Sequence, residues 1–176
     1  MKRSAMTIAI LLLATSPFAT AQSNALADAC KVLSDAEVRR VFPDAKSGTR
    51  DASLEKYGIT SCQWAGRGRF SLTLAAGDIG TIDEEIDTIA QGFVDPLKPG
   101  SIRNLRIIKF AGIGDAAMGF IETTDASKGI LTTAAVVVVQ RGKKQVTMFS
   151  SELANRDRAT AQESLADLAR AASKRM

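Results

Sequence analysis

Histidine is absent from this chain of 176 residues. Its absence excludes the Ser-His-Asp and Cys-His arrangements of nucleophilic catalysis, the usual proton shuttle at neutral pH and the commonest zinc ligand. Aromatic side chains are also few, with one Trp and one Tyr. Glycoside cleavage needs two acids facing each other across a cleft, and the sequence places no such pair. We therefore expect no catalytic residue, no metal site and no cofactor.

Cysteine is almost as scarce, since Cys30 and Cys62 are the two in the chain. In an oxidising compartment, two cysteines predict one disulfide, and a single pair leaves no doubt about connectivity. A redox pair is the alternative, but such pairs usually have the close C-x-x-C spacing. The wide separation favours a structural bond without excluding the redox pair.

The N-terminal segment has the features of a secretory signal peptide. Lys2 and Arg3 precede an apolar run over residues 5–14, and small residues at positions 19 and 21 suit signal peptidase. The run is far shorter than the ~20 residues that span a bilayer. We predict cleavage after Ala21 and a soluble periplasmic or secreted product, with an uncleaved anchor as the alternative.

Residues 22–176 have the length of a single domain with its own hydrophobic core. Removal of Lys2 and Arg3 lowers the formal charge from +4 to +2, because residues 1–21 contain no acid. A protein that binds nucleic acid usually concentrates its basic residues on one face. The near-balanced charge and the predicted export both argue against a nucleic-acid partner.

Hydrophobic periodicity predicts an α+β fold with the element order α-β-β-α-β-β-β-β-α. Capping boxes begin the first helix at Ser34 and the second at Thr81, and the second ends near Val94–Asp95. The third helix runs from Arg158 to Lys174. The predicted strands include the hairpin around residues 66–68 and runs over 105–110, 117–122, 130–140 and 145–150.

Short turns between successive strands predict an antiparallel sheet of about five to six strands, with helices packed on one face. Phe70, Leu72 and Leu74 alternate with polar residues and are expected to face inward. The four consecutive valines at 136–139 predict a central strand that is buried on both faces.

Three motifs occur in one order along the chain: Cys30-x-x-Leu33-Ser34-x-x-Glu37-Val38, Cys62-Gln63-Trp64 and Gly112-Ile113-Gly114-Asp115. Together they resemble a family of small exported bacterial domains of unknown function, many of them lipoproteins. The resemblance spans nearly all of residues 22–176. It implies an α+β sandwich with the two cysteines bridged, and it implies no reaction. This chain lacks the lipid-attachment cysteine, so a lipid anchor does not carry over.

Trp64 and two groups of basic residues are the candidate binding residues. Trp64 shares a strand face with Cys62, so we expect it in the core near the disulfide, with a ligand platform as the alternative. The basic residues flank two predicted hairpin turns, namely Arg67 and Arg69 at the first and Arg141, Lys143 and Lys144 at the second. If both turns lie at one end of the sheet, they form a patch for an anionic lipid or cell-wall surface. The alternative is that these charges are simply exposed to water.

Two further motifs are interpreted as structural. The Gly112–Asp115 segment lacks the third glycine and the Lys-Ser/Thr of phosphate loops, so we predict a tight turn in which Asp115 accepts local amides. The acids of residues 83–87 do not all share a helix face, and they suit the first turn of a helix better than a metal site.

Taken together, the sequence predicts a non-catalytic ligand-binding or protein-interaction module. Its partner would be an unidentified envelope protein or small ligand, with weak contact to an anionic membrane or cell-wall surface as a further possibility. The alternatives are an envelope structural or assembly protein and a hydrolase that uses carboxylate or Ser/Lys chemistry.

Overall fold

The computed structural model describes residues 27–93, 105–124, 131–151 and 158–176. The predicted signal peptide and the predicted end of the second helix lie outside these residues. Within the described ranges, no helix combines the length and the apolar character that crossing a membrane would require.

The described residues form helices at both ends of the chain and one in the middle. Both predicted capping boxes are confirmed. Ser34 Oγ accepts from the Glu37 amide at 3.3 Å, and Glu37 Oε2 accepts from the Ser34 amide at 2.8 Å. Thr81 and Glu84 make the same reciprocal pair. The helices are α1 (Ala29–Val32), α2 (Asp35–Val41), α3 (Ile82–Phe93) and α4 (Arg158–Arg175).

One antiparallel sheet of seven strands in the order β1-β2-β3-β7-β6-β5-β4 is the centre of the fold. Its strands are β1 (Thr49–Asp51), β2 (Ile59–Ala65), β3 (Arg69–Ala76), β4 (Ile108–Lys109), β5 (Ala116–Thr124), β6 (Leu131–Arg141) and β7 (Lys144–Ser150).

The α+β class is confirmed, but the predicted strand number was too low and the predicted element order was incomplete. It lacked β1 and α1. β1 is a polar edge strand of three residues, which is defined by its pairing with β2 rather than by alternation of its own. α1 is a single turn, and the Asp28 side chain caps it by accepting from the Cys30 amide at 3.0 Å.

Helices cover both faces of the sheet, not the one face predicted. Val137 and Val139 face a core shared with α1, α2 and α4, whereas Val136 and Val138 face α3. The expected burial of this strand on both faces is confirmed, because all four valines are at most 1% exposed. A strand that is apolar on both faces needs cover on both, and this requirement places α3 opposite the other helices.

The last helix is joined to the first ones by an ion pair. Arg175 Nη1 and Nη2 donate to the two carboxylate oxygens of Glu37 at 2.7 and 2.8 Å, and Nη1 also donates to the Val32 carbonyl at 3.0 Å. The hydrogen bonds from Arg175 lower the pKa of Glu37 to about 2. The charged Glu37 therefore links α2 to α4, next to the end of α1.

Candidate functional site

Cys30 and Cys62 form the predicted disulfide, which joins α1 to β2 with an S–S distance of 2.04 Å. Trp64 follows on the same face of β2 and is 1% exposed. A Cβ on Gly48 would lie 2.7 Å from the Trp64 ring and 2.8 Å from the Cys62 sulfur. The backbone at Gly48 thus packs directly on both groups, and it can do so because glycine has no side chain.

The Trp64 indole is fixed by Asp35, the first residue of α2. Its Nε1 donates to Asp35 Oδ1 at 2.8 Å, and the Gly48 amide donates to the same oxygen at 2.9 Å. Both bonds lower the pKa of Asp35, and the bond from Gly48 has the larger effect. These hydrogen bonds fix the orientation of the indole ring.

Phe70 connects Trp64 to the surface through a stack of rings. Its ring centroid is 5.4 Å from that of Trp64 and 5.0 Å from that of the half-buried Phe42. Pro43 and Asp44 continue the chain beyond Phe42. A cleft of about 360 Å³ opens beside this stack, and we call it the aromatic cleft. Its lining includes Phe42, Pro43, Asp44, Trp64, Arg67 and Phe70.

The two walls of the aromatic cleft are tied to each other by hydrogen bonds that backbone amides donate. The turn between β2 and β3 (residues 66–68, the β2–β3 turn) forms one wall, and residues 42–45 form the other. The Arg67 amide donates to Asp44 Oδ2 at 2.6 Å, and the Lys46 amide donates to the Ala65 carbonyl at 2.7 Å. A cleft with both walls fixed is pre-organised, so a ligand loses less free energy to ordering the site.

The sheet does not bring the two groups of basic residues together. Phe70 of β3 pairs with Ser150 of β7, whereas Ala76 pairs with Lys144. The β2–β3 turn and the turn between β6 and β7 (residues 142–143, the β6–β7 turn) therefore lie at opposite ends of the sheet, roughly 23 Å apart along β3 at about 3.3 Å per residue. The condition for a shared patch is not met: Arg67 and Arg69 are exposed at one end, and Arg141, Lys143 and Lys144 lie at the other.

The β6–β7 turn is packed against other parts of the fold. Arg141 Nη1 donates to the Ser173 carbonyl near the end of α4 at 2.6 Å, and the Gly142 amide donates to Asp115 Oδ2 at 2.6 Å. The tight turn predicted at residues 112–115 is confirmed, with Gly112 and Gly114 both at positive φ. The expectation that Asp115 accepts local amides was wrong, because β5 lies beside β6 and this places Gly142 next to the carboxylate.

The acidic first turn of α3 is exposed, and Glu84 serves as the capping residue. A hydrogen bond from the Thr81 amide lowers the pKa of Glu84. In the part of the chain that the structure describes, no three Cys, Asp or Glu side chains are grouped closely enough to hold a metal ion.

Sequence reasoning missed the wall formed by Phe42, Pro43 and Asp44. None of these three residues is among its candidate binding residues. The contact that gives this segment a role joins Asp44 to Arg67, which is 23 residues further along the chain. No local pattern reports such a contact. The one available signal was an aromatic residue directly before a helix-ending proline.

Comparison of the chain with known protein families, with curated proteins and with solved structures gives no match.

Proposed function

We propose that this protein is an exported, non-catalytic binding module whose ligand occupies the aromatic cleft. The observation that carries the proposal is a cleft of about 360 Å³ with an aromatic side and two walls that hydrogen bonds hold together. Small-molecule sites are typically pre-formed, mostly apolar concavities of roughly this size with a few polar groups at defined positions. Trp64 and Arg67, two residues singled out in the sequence, both line it.

Export is supported by the disulfide, since such bonds persist in oxidising compartments such as the periplasm or the extracellular space. The basic and apolar N-terminal segment and the resemblance to small exported domains agree with this location. The ligand is therefore expected among envelope or extracellular molecules.

A binding role is favoured over a hydrolytic one by the chemistry of the described residues. The described lining of the aromatic cleft includes one acid, Asp44, and neither serine nor lysine. A smaller cavity of about 190 Å³ between α2 and α4 does combine Glu37, Asp167 and Ser164. However, Arg175 holds the pKa of Glu37 at about 2, and Arg170 donates to Asp167. A general acid or base works best with a pKa near the operating pH.

An NMR titration with an uncharged aromatic probe, 3-phenylpropanamide, tests the proposal. Trp64 is the single tryptophan, so its indole N–H gives one resolved signal in a ¹⁵N-labelled sample. We expect the probe to shift this signal and the Gly66 and Gly68 amides, while the Gly112 and Gly142 amides stay unchanged.

Matched variants localise the binding. Phe42→Ala removes an aromatic wall of the cleft and should weaken the shifts, whereas Tyr57→Ala removes an aromatic ring that is 68% exposed and outside the cleft. Equal effects of the two substitutions, or no shift at millimolar probe, would contradict the proposal. Light scattering tests the envelope-assembly alternative. A stable oligomer whose assembly shifts the signals of Trp64, Gly66 and Gly68 would favour that alternative instead.

A further inference from the structure

We infer that the aromatic cleft selects small amphipathic acids, an apolar or aromatic body that carries a carboxylate, and that Arg67 is the residue that selects the charge. This inference rests on the proposed function, because it names the ligand class of the same cleft. Three observations support it: the charge at the rim, the use made of Asp44 and the character of the wall formed by residues 42–45.

Arg67 is the cation at the rim of the cleft. Its side chain is exposed, and its guanidinium forms none of the ion pairs found among the described residues. Arg69 lies two residues further on and is also exposed, so it adds to the positive potential at this end of the sheet. An anion that approaches the β2–β3 turn therefore meets two positive charges.

Asp44 is the acid of the cleft, but the β2–β3 turn already uses it. Its Oδ2 accepts from the Arg67 amide at 2.6 Å. Its Oδ1 lies 3.2 Å from the position that a Cβ on Gly66 would take. The carboxylate thus rests against the backbone of the turn, and its Oδ2 is already occupied by the Arg67 amide. The guanidinium is the charge left for a ligand.

The wall formed by residues 42–45 is apolar at Phe42 and Pro43. Phe70 stacks on Phe42 and also contacts the ring of Trp64. A guanidinium donates through a planar fork of N–H groups that matches a carboxylate, and such charge-assisted bonds are stronger than neutral ones. A ligand with an apolar ring and a carboxylate is complementary to both walls at once.

Three probes of nearly equal shape separate the charge from the apolar contact. They are 3-phenylpropanoate, 3-phenylpropanamide and 3-phenylpropylamine, which carry a negative, a neutral and a positive end. Dissociation constants come from the shifts of the Trp64 indole and the Gly66 amide. We expect the carboxylate to bind about two- to fivefold more tightly than the amide, the range for an exposed charge pair, and the amine to bind most weakly.

Variants assign this preference to Arg67. Arg67→Gln should bring the ratio of carboxylate to amide affinity close to one, while Arg67→Lys should retain part of the wild-type ratio. Lys109→Gln removes an exposed cation at the opposite edge of the sheet and should change none of the three affinities. A carboxylate preference that survives Arg67→Gln would overturn the inference.

The outcomes also separate this inference from the proposed function. Equal affinity of the wild-type cleft for all three probes would overturn the charge selection and leave the binding function standing. Absence of binding by any probe would overturn both. Co-sedimentation with phosphatidylglycerol vesicles, without a response to monomeric 3-phenylpropanoate, would assign the anion to a lipid surface and overturn the inference of a small soluble ligand.

Discussion

The β2–β3 turn and the β6–β7 turn are each held by an aspartate from a distant segment. Asp44 accepts the Arg67 amide and Asp115 accepts the Gly142 amide, both at 2.6 Å. In sequence the two turns also look alike, because glycine and basic residues surround both. Their backbone anchoring is thus nearly the same at the two ends of the sheet.

The two turns differ in what surrounds their basic side chains. Arg141 donates to the Ser173 carbonyl, so the guanidinium of the β6–β7 turn stabilises the end of α4. Arg67 has the aromatic cleft beside it instead, with no described carboxylate as its ion-pair partner. The role of a basic turn is decided by whether the fold supplies an acceptor for the cation, and that acceptor comes from elsewhere in the chain.

Removal of the disulfide is expected to have the largest effect, and to act on β2 and β3 more than on β6 and β7, because Cys62 lies in β2. In Cys30→Ala/Cys62→Ala, the free energy of unfolding should fall by roughly 3.5–4 kcal/mol, the loop-closure value for a bond of this span. Urea denaturation measures the total, and amide exchange compares β2–β3 with β6–β7. A larger loss of protection in β6–β7 would contradict the expectation that the bond stabilises the β2 side of the sheet.

Substitution of Gly114 should disrupt the support of the β6–β7 turn alone. A Cβ there would lie 2.5 Å from the Gln140 carbonyl oxygen at positive φ, so Gly114→Ala should cost about 3 kcal/mol of stability through overpacking and backbone strain. Gly112→Ala is the control, because it has positive φ but no atom within 4 Å of the added Cβ, and it should cost about 1 kcal/mol. If the two substitutions lower the free energy of unfolding equally, the close approach of Gly114 to β6 does not explain why glycine is needed there.

The pair between Glu37 and Arg175 should make stability depend on pH in the acid range. The folded pKa of Glu37 is about 2, below its ordinary value of 4.5. The pair therefore stabilises the fold above about pH 4.5, and this contribution is lost as the pH falls toward 2.

Glu37→Gln provides the matched measurement for that pair. Allowing for the partial exposure of both side chains, it should lower the free energy of unfolding by about 1–2 kcal/mol at neutral pH. The difference from the wild-type protein should shrink as the pH approaches 2. A difference that stays constant between pH 7 and pH 3 would mean that the charge of Glu37 contributes nothing.

The smallest effects are expected from the two aspartates, and they give the sharpest comparison of the turns. Asp44→Ala and Asp115→Ala each remove one acceptor of a backbone amide and should each cost about 1 kcal/mol. Only Asp44→Ala should shift the Trp64 indole signal and alter probe binding. A similar response of the cleft to Asp115→Ala would contradict the independence of the two ends.

Local patterns predicted those parts of the fold that neighbouring residues determine. The two capping boxes and the inward alternation of Phe70, Leu72 and Leu74 depend on spacings of two to four residues, and the structure has them all. The disulfide was predictable for a different reason, because a chain that is predicted to be exported and has one cysteine pair has one possible bridge.

Contacts between distant residues account for what the sequence did not predict. α3 covers the face of the sheet that Val136 and Val138 share. Periodicity shows that both faces of β6 are apolar, but it does not show which helix covers which face. The aromatic cleft depends on a bond between residues 23 positions apart, and the partner of the Asp115 carboxylate is an amide 27 positions away. In each case the local sequence around either partner does not indicate the contact.

The ion pair between Arg175 and Glu37 also bears on the timing of folding. Glu37 must wait for a residue that is 138 positions later in the chain. A chain that emerges N-terminus first, from a ribosome or a translocation pore, presents α1 and α2 long before α4 exists. The apolar face that these three helices share with the sheet therefore closes last, and a nascent chain of this protein acquires its finished core only when its final helix has been released.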